Sequence, residues 1–250
     1  MPKFSAIVVA AGRGERFGGK ENKIFAMLEG QPLFIRALQL FVNREDVCQT
    51  ILVVAPEHLE QMKTKFGPNL GFMGVKLVEG GLERHDSVAN GLAAVRDDAE
   101  FVAVHDAARV CVAADWIDRL FEAAAKTGAA IPVVPITATL KRVGPEGQIT
   151  KTVPREGLHL AQTPQFFRRD IITTAYAALR EQGQALTDNA PPTDDAQVVV
   201  AAGFPVTAVD GDSRNIKITT RDDLKLASAI LKVLPQKAAS RMGAFEEAKW

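Results

Sequence analysis

The chain of 250 residues carries 30 Lys+Arg against 30 Asp+Glu, so its formal net charge is zero, and it is 47% hydrophobic and 24% charged. This composition suits a globular chain with a full core and argues against a polybasic surface that drives binding to nucleic acid or an anionic membrane, while leaving room for local basic clusters. An aromatic share of 6% leaves few stacking platforms for single-stranded nucleic acid, and no run of 18 apolar residues predicts a membrane span.

Residues 5–11 (SAIVVAA) are apolar on both faces and stop at Gly12, as a buried parallel strand does. Residues 32–41 place apolar side chains at 33, 34, 37, 38 and 41, a helical stripe with Pro near its start. Residues 50–55 read as a second buried strand ended by Pro56, and 57–66 as a helix. A short strand at 75–79, a helix at 86–95, a strand at 101–105, a helix at 115–126 and a strand at 129–134 continue the alternation. This rhythm predicts an α/β fold: a Rossmann-like, mostly parallel sheet with right-handed crossovers, helices on both faces, and ligands at the carboxyl ends of the strands.

The rhythm breaks between Pro135 and Thr163. Residues 137–143 alternate, 144–147 (GPEG) turn, and 148–153 alternate again, which predicts a β-hairpin. A two-stranded hairpin rarely stands alone in water. Residues 137–153 are therefore expected to protrude as an arm that packs on a second copy, making a homodimer. Helices at 169–181 and 194–202, a strand at 205–209 and a helix at 221–234 follow. The expected organisation is one domain over 1–234 and a C-terminal tail over 235–250. Cys48 and Cys111 have no ligand-like spacing and no signal peptide is read, so the expected compartment is a reducing cytoplasm.

The loop after the first strand, residues 10–23, is rich in glycine and carries Arg13, Arg16, Lys20 and Lys23. Glycines let backbone N–H groups converge on one centre, which suits a phosphate chain. Gly14-x4-Gly19-Lys20 matches a P-loop until Glu21 takes the place of the Mg²⁺-holding Ser/Thr. A dinucleotide fingerprint fails at Phe17, where Gly or Ala is needed. A basic loop around a nucleoside triphosphate remains, beside the plainer reading of a solvated turn. Asp106 ends an apolar strand, where it is either a Mg²⁺ ligand beside phosphates or a turn residue. The Gly80-Gly81 turn and Ser87 either approach a base or form a plain βα turn with a cap. His105 reads as a structural histidine, and Lys217, between two isoleucines, points into a cleft or into solvent.

Residues 10–23 resemble the signature loop of nucleotidyltransferases of the sugar-nucleotide pyrophosphorylase type. With residues 80–88 (GGLERHDSV), 105–109 (HDAAR), 162–167 (QTPQFF) and 215–219 (NIKIT) in this order, the chain is similar to the 2-C-methyl-D-erythritol 4-phosphate cytidylyltransferase family of non-mevalonate isoprenoid synthesis, over about residues 4–233. The resemblance implies transfer of a cytidylyl group from CTP to methylerythritol phosphate, with Mg²⁺ and release of pyrophosphate. It assigns Arg16, Lys23 and Lys217 to charge stabilisation at the α-phosphate. Ala10, Ala11, Gly12, Gly14, Gly81 and Ser87 would bind the nucleotide, and Asp106 the metal. Arg109, Thr163 and Thr193 would bind the acceptor, joined by Thr139 and Arg155 from the hairpin of a second copy.

Thr193 is preferred over Thr187 because it keeps the family's ten residues to Gly203, which makes 187–192 an insertion. Asn22 and Ile24 flank Lys23 where the family has Pro and Gln, Leu82 stands for an acidic residue, and Val110 for Pro. A phosphate monoester is largely dianionic at neutral pH, its second pKa being about 6, so this transfer needs no general base. It needs two anions brought into line and their repulsion offset. The alternatives are a cytidylyltransferase for another polyol phosphate, such as ribitol 5-phosphate, and a non-catalytic nucleotide or sugar-phosphate sensor.

Overall fold

The structure, a computed structural model, describes residues 2–12, 14–18, 22–181 and 190–235. The chain opens with β1 (Phe4–Ala10), then two 3-10 turns at Glu15–Phe17 and Lys23–Phe25, the small pair β2 (Met27–Leu28) and β3 (Gln31–Pro32), and α1 (Leu33–Gln39). β4 (Val47–Val54), α2 (Pro56–Phe72), β5 (Val75–Glu79), α3 (Arg84–Leu92), β6 (Phe101–Asp106), α4 (Ala114–Thr127) and β7 (Ala129–Pro135) carry on the βα alternation. β8 (Leu140–Val143), β9 (Ile149–Val153), β10 (His159–Ala161) and β11 (Gln165–Arg168) interrupt it; α5 (Arg169–Glu181), α6 (Asp195–Ala201), β12 (Thr207–Asp210) and α7 (Arg221–Leu231) complete it.

The main sheet has the order β10-β7-β11-β6-β1-β4-β5, and β12 also pairs with β7. β1, β4, β5 and β6 pair in parallel, and β12 runs parallel to β7. β10 and β11 are antiparallel to their neighbours. This is the expected α/β architecture, with helices on both faces. Along β1, Phe4, Ala6, Val8 and Ala10 face a core shared with α1, α2, α4 and α7, while Ile7 faces the one shared with α3, α5 and α6. Burial on both faces is why this strand reads as a continuous apolar run.

Several bounds differ from the sequence reading, each for a local reason. α2 runs on to Phe72 with Pro68 inside it, because Met62, Phe66 and Leu70 stay buried at helical spacing beyond the predicted end. α3 starts at Arg84, two residues early, where Glu83 and Asp86 form a reciprocal capping box. β10 and β11 went unread: they span three and four residues, too short for a period to register. The hairpin β8–β9 forms, as its own two-stranded sheet. Its strands are almost wholly exposed, with Val143 and Ile149 facing solvent. Among the described residues no helix is long and apolar enough to cross a membrane. The tail beyond Pro235 and positions 187–189 of the insertion lie outside the described residues.

Candidate active site

Strand ends place the first glycine loop, the α3 turn, the 105–109 loop and the 215–219 segment around one cleft of about 530 Å³. Ala10, Ala11, Gly12, Gly14, Arg16, Lys23, Ser87, Asp106 and Lys217 all line it. Gly14 adopts φ 69°, the left-handed region that glycine tolerates, and opens the 3-10 turn bearing Arg16. Asn22, a departure from the family pattern, closes the loop: its amide donates to the Gly12 carbonyl at 2.9 Å, and its side-chain oxygen accepts from the Ile24 N–H. Lys23 donates to the Ile218 carbonyl at 3.2 Å, tying the loop to the 215–219 segment. Burial and then the Lys217 ammonium push Lys23 below the ordinary lysine value. Arg13 and Lys20 lie outside the described residues.

Gly81 does not itself line the cleft. Its N–H donates to Ser87 Oγ at 3.1 Å, and Ser87 donates to the Glu83 carbonyl. A Cβ on Gly81 would lie 2.2 Å from Asp86 Cβ, and one on Gly80 would lie 2.8 Å from Ala11 Cβ and Ser87 Oγ. Both glycines are therefore required for the turn to close against the first loop. Ser87 is no helix cap; it fastens the turn.

A smaller chamber of about 190 Å³ adjoins the cleft, and Arg84, Asp106 and Lys217 border both. Arg109, Thr163 and Thr193 line this chamber, together with Gln165 and Asp194. Asp106 stands at the junction. Lys217 Nζ lies 2.7 Å from its Oδ2, Arg84 Nε 3.2 Å from its Oδ1, and Arg109 Nε 3.9 Å from Oδ2. Burial alone would raise the Asp106 carboxyl, but Arg84, Lys217 and Arg109 outweigh it and hold the group far below the usual carboxylate range. Lys217 thus points inward, and Asp106 is the focus of three cations rather than a simple turn residue. Arg109 Nε is buried without a hydrogen-bond partner, while its Nη1 donates to the Asn215 carbonyl at 2.7 Å.

His105 braces this junction. Its Nε2 is 2.8 Å from the Arg109 carbonyl, which can only accept, so Nε2 carries the proton and Nδ1 accepts from Thr163 Oγ1 at 3.1 Å. Thr163 Oγ1 accepts in turn from the Asp106 N–H. Burial lowers the imidazole to about 4, so it is neutral at neutral pH, as a structural histidine should be. Asn215 donates to the Thr163 carbonyl at 2.9 Å, which locks the 215–219 segment against Thr163 at the smaller chamber.

Thr139 and Arg155 border neither chamber. Both are exposed, and Arg155 donates to the Thr137 carbonyl of its own hairpin. Within one chain they are not part of the site. Conversely, the sequence reading gave no role to Arg84 or Asp195. The signal for Arg84 was its place in the GGLERHDSV segment, and for Asp195 its place in the Thr193-Asp194-Asp-Ala helix start; Tyr176 left none, because only folding brings it to Asp195.

The sequence model of the 2-C-methyl-D-erythritol 4-phosphate cytidylyltransferase family matches residues 4–233. The chain belongs to that family. A 2-C-methyl-D-erythritol 4-phosphate cytidylyltransferase of Rhodopirellula baltica is 40% identical over 238 residues, covering 91% of this chain and 94% of that one. One from Pelotomaculum thermopropionicum is 39% identical, covering 97% and 100%. The crystal structure of the Thermus thermophilus family member superposes with a TM-score of 0.73 at 33% identity, covering 93% and 100%.

Proposed function

We infer that this chain is an enzyme that transfers the cytidylyl group of CTP to 2-C-methyl-D-erythritol 4-phosphate, releasing pyrophosphate. The observation that carries the reading is the junction itself. Two adjoining chambers meet at Asp106 and Lys217, with Lys23 and Arg16 on the triphosphate side and Arg109 on the other. Nucleophile and electrophile are both anionic, so the protein's contribution is alignment and positive charge. Lys23, half-buried and tied to the Ile218 carbonyl, is the loop cation that would offset charge at the α-phosphorus. Arg109, lining the smaller chamber with its Nε free of any hydrogen bond, is the cation that would meet the acceptor phosphate. A sensor would not need Lys23 and Lys217 lining one cleft beside the Asp106 carboxylate.

Magnesium belongs to the same reading. Among the described residues no group of three or more His, Cys, Asp or Glu is placed to hold a metal. Asp106 offers one carboxylate at the cleft, which suits an ion that takes one or two carboxylates and completes its shell with phosphate oxygens and water. The Lys217 ammonium on Asp106 Oδ2 marks that position as one that draws a cation. When bound, Mg²⁺ would neutralise triphosphate charge and leave the positioning to the side chains named above.

The hairpin gives the proposal its second copy. Its exposed apolar Val143 and Ile149, and the absence of Thr139 and Arg155 from their own chain's chambers, support a C₂ homodimer in which each arm completes its neighbour's acceptor chamber. Cys48 and Cys111 are both free, and burial pushes the Cys111 thiol up to about 11, in keeping with a reducing cytoplasm. The deciding assay is pyrophosphate release with each of the four NTPs, using methylerythritol phosphate and ribitol 5-phosphate as acceptors. CTP with methylerythritol phosphate should be the productive pair. Equal turnover of ribitol 5-phosphate would remove the acceptor assignment, and a preference for UTP or ATP the base assignment.

A further inference from the structure

Arg84 borders both chambers and holds the carboxylate between them. Its Nε donates to Asp106 Oδ1, and its Nη2 donates to Asp195 Oδ2 at 2.8 Å. Asp195 is completely buried, and its other oxygen accepts from the Tyr176 hydroxyl at 2.6 Å. Asp195 is the first residue of α6, directly after Thr193 and Asp194, which line the acceptor chamber. Gln165 adds a second tie there, donating to Asp194 Oδ2 and accepting from the Ala196 N–H. The chain Tyr176–Asp195–Arg84–Asp106 therefore runs from α5, through the start of α6, to the carboxylate at the junction.

We propose that Arg84 is a positioning residue for the transfer reaction: backed by Asp195 and Tyr176, its guanidinium orients Asp106 and fixes the start of α6 against the acceptor chamber. The chemistry of the parts requires this arrangement. A planar guanidinium serves two carboxylates in two directions at once, which an ammonium on a flexible stem does not. A buried ion pair is a poor source of stability compared with apolar packing, so its value here lies in direction. Each oxygen of Asp106 is met by a separate cation, Arg84 on Oδ1 and Lys217 on Oδ2, so the carboxylate plane is set from both sides. Tyr176 borders neither chamber, which makes it a handle on the relay that touches no ligand.

The kinetic part of the test rests on the substrates proposed above; the structural part does not. Tyr176→Phe, Arg84→Lys and the double variant are compared with wild type by thermal melting, by hydrogen exchange over residues 193–201, and by kcat and KM for both substrates. Loss of a hydrogen bond to a charged group should speed exchange at the start of α6 by about tenfold in each single variant, with β1 unchanged. Tyr176→Phe should raise KM for the acceptor several-fold and leave KM for CTP within about twofold. Arg84→Lys should also lower kcat by roughly a hundredfold, and the double variant should be no worse than Arg84→Lys alone, since both break one chain. Unchanged exchange at α6 overturns the proposal. So do losses that multiply in the double variant, or a kcat that falls only with the folded fraction while both KM values hold. If Arg84→Lys does not fold, Tyr176→Phe decides alone. A wild type that releases no pyrophosphate overturns the substrate reading, while the exchange result still decides the relay.

Discussion

The larger cleft takes its walls from the carboxyl ends of the parallel strands β1 and β6, the turn after β5 and the 217–219 segment. The smaller chamber is walled by the antiparallel segment 161–165, the start of α6 and the Arg109 loop, and Thr139 and Arg155, expected to finish it, are exposed and do not line it. A parallel sheet presents several strand ends at one rim, so a cleft there is built by the fold itself. A chamber at the edge, among short antiparallel pieces, has no such floor and depends on side-chain ties such as Asn215 to Thr163 and Arg84 to Asp195. The comparison separates what one chain holds by topology from what it holds by individual bonds.

The largest effects should come at the shared junction. Lys23→Ala and Lys217→Ala should each lower kcat by about 10²–10³, roughly 3–4 kcal/mol, with smaller changes in KM, because both charges matter most as the phosphorus becomes pentavalent. Steady-state pyrophosphate release reads this directly, and an unchanged kcat in either variant would make that lysine a bystander. Asp106→Asn leaves Arg84, Lys217 and Arg109 without the charge they surround and should remove Mg²⁺-supported turnover. A Mg²⁺ titration giving activity within a few-fold of wild type would return Asp106 to a structural role.

The arm tests the open side. Arg155→Ala and Lys23→Ala homodimers should both be nearly inactive. Unfolded together and refolded in equal amounts, they should form about half mixed dimers, each with one intact site, and recover roughly one quarter of wild-type activity. No recovery, with mixed dimers confirmed by mass, would mean that the arm serves its own chain or none.

The smallest effect concerns the mount of Lys217. Thr220 caps α7, and Asp223 accepts from the Thr219 and Thr220 N–H groups, which fixes the chain just beyond Lys217. These bonds hold the Asp223 carboxyl at about 2, below its ordinary value. Asp223→Ala should cost about 1 kcal/mol in urea unfolding, as lost caps do. Because the folded-state value is the lower one, the stabilisation is complete above the ordinary carboxylate range. The gap between variant and wild type should shrink as pH falls from about 4 toward 2. A gap that widened on acidification would place the effect elsewhere.

Legibility in the sequence follows the same divide. β1, β4 and β6 were readable because burial on both faces leaves an unbroken apolar run, and the glycine loop because its residue types have one strong use. β10 was not, since its three residues are all exposed and pair only through backbone. Nor was the Arg84–Asp195 tie, which joins positions 111 residues apart. No periodicity carries that information. Even so, the resemblance pointed to Asp106, Arg109, Thr163, Thr193 and Lys217, which the structure brings to one chamber.

His105 has a consequence for how the protein meets acid. Its imidazole is locked between the Arg109 carbonyl and the Thr163 hydroxyl and stays neutral until the pH nears 4. Across the ordinary range, then, the brace behind Asp106 keeps one tautomer and one geometry. What does change there is the acceptor, whose phosphate gains a proton near pH 6 and loses nucleophilic charge. As the acceptor takes up that proton, the brace behind Asp106 therefore holds its shape.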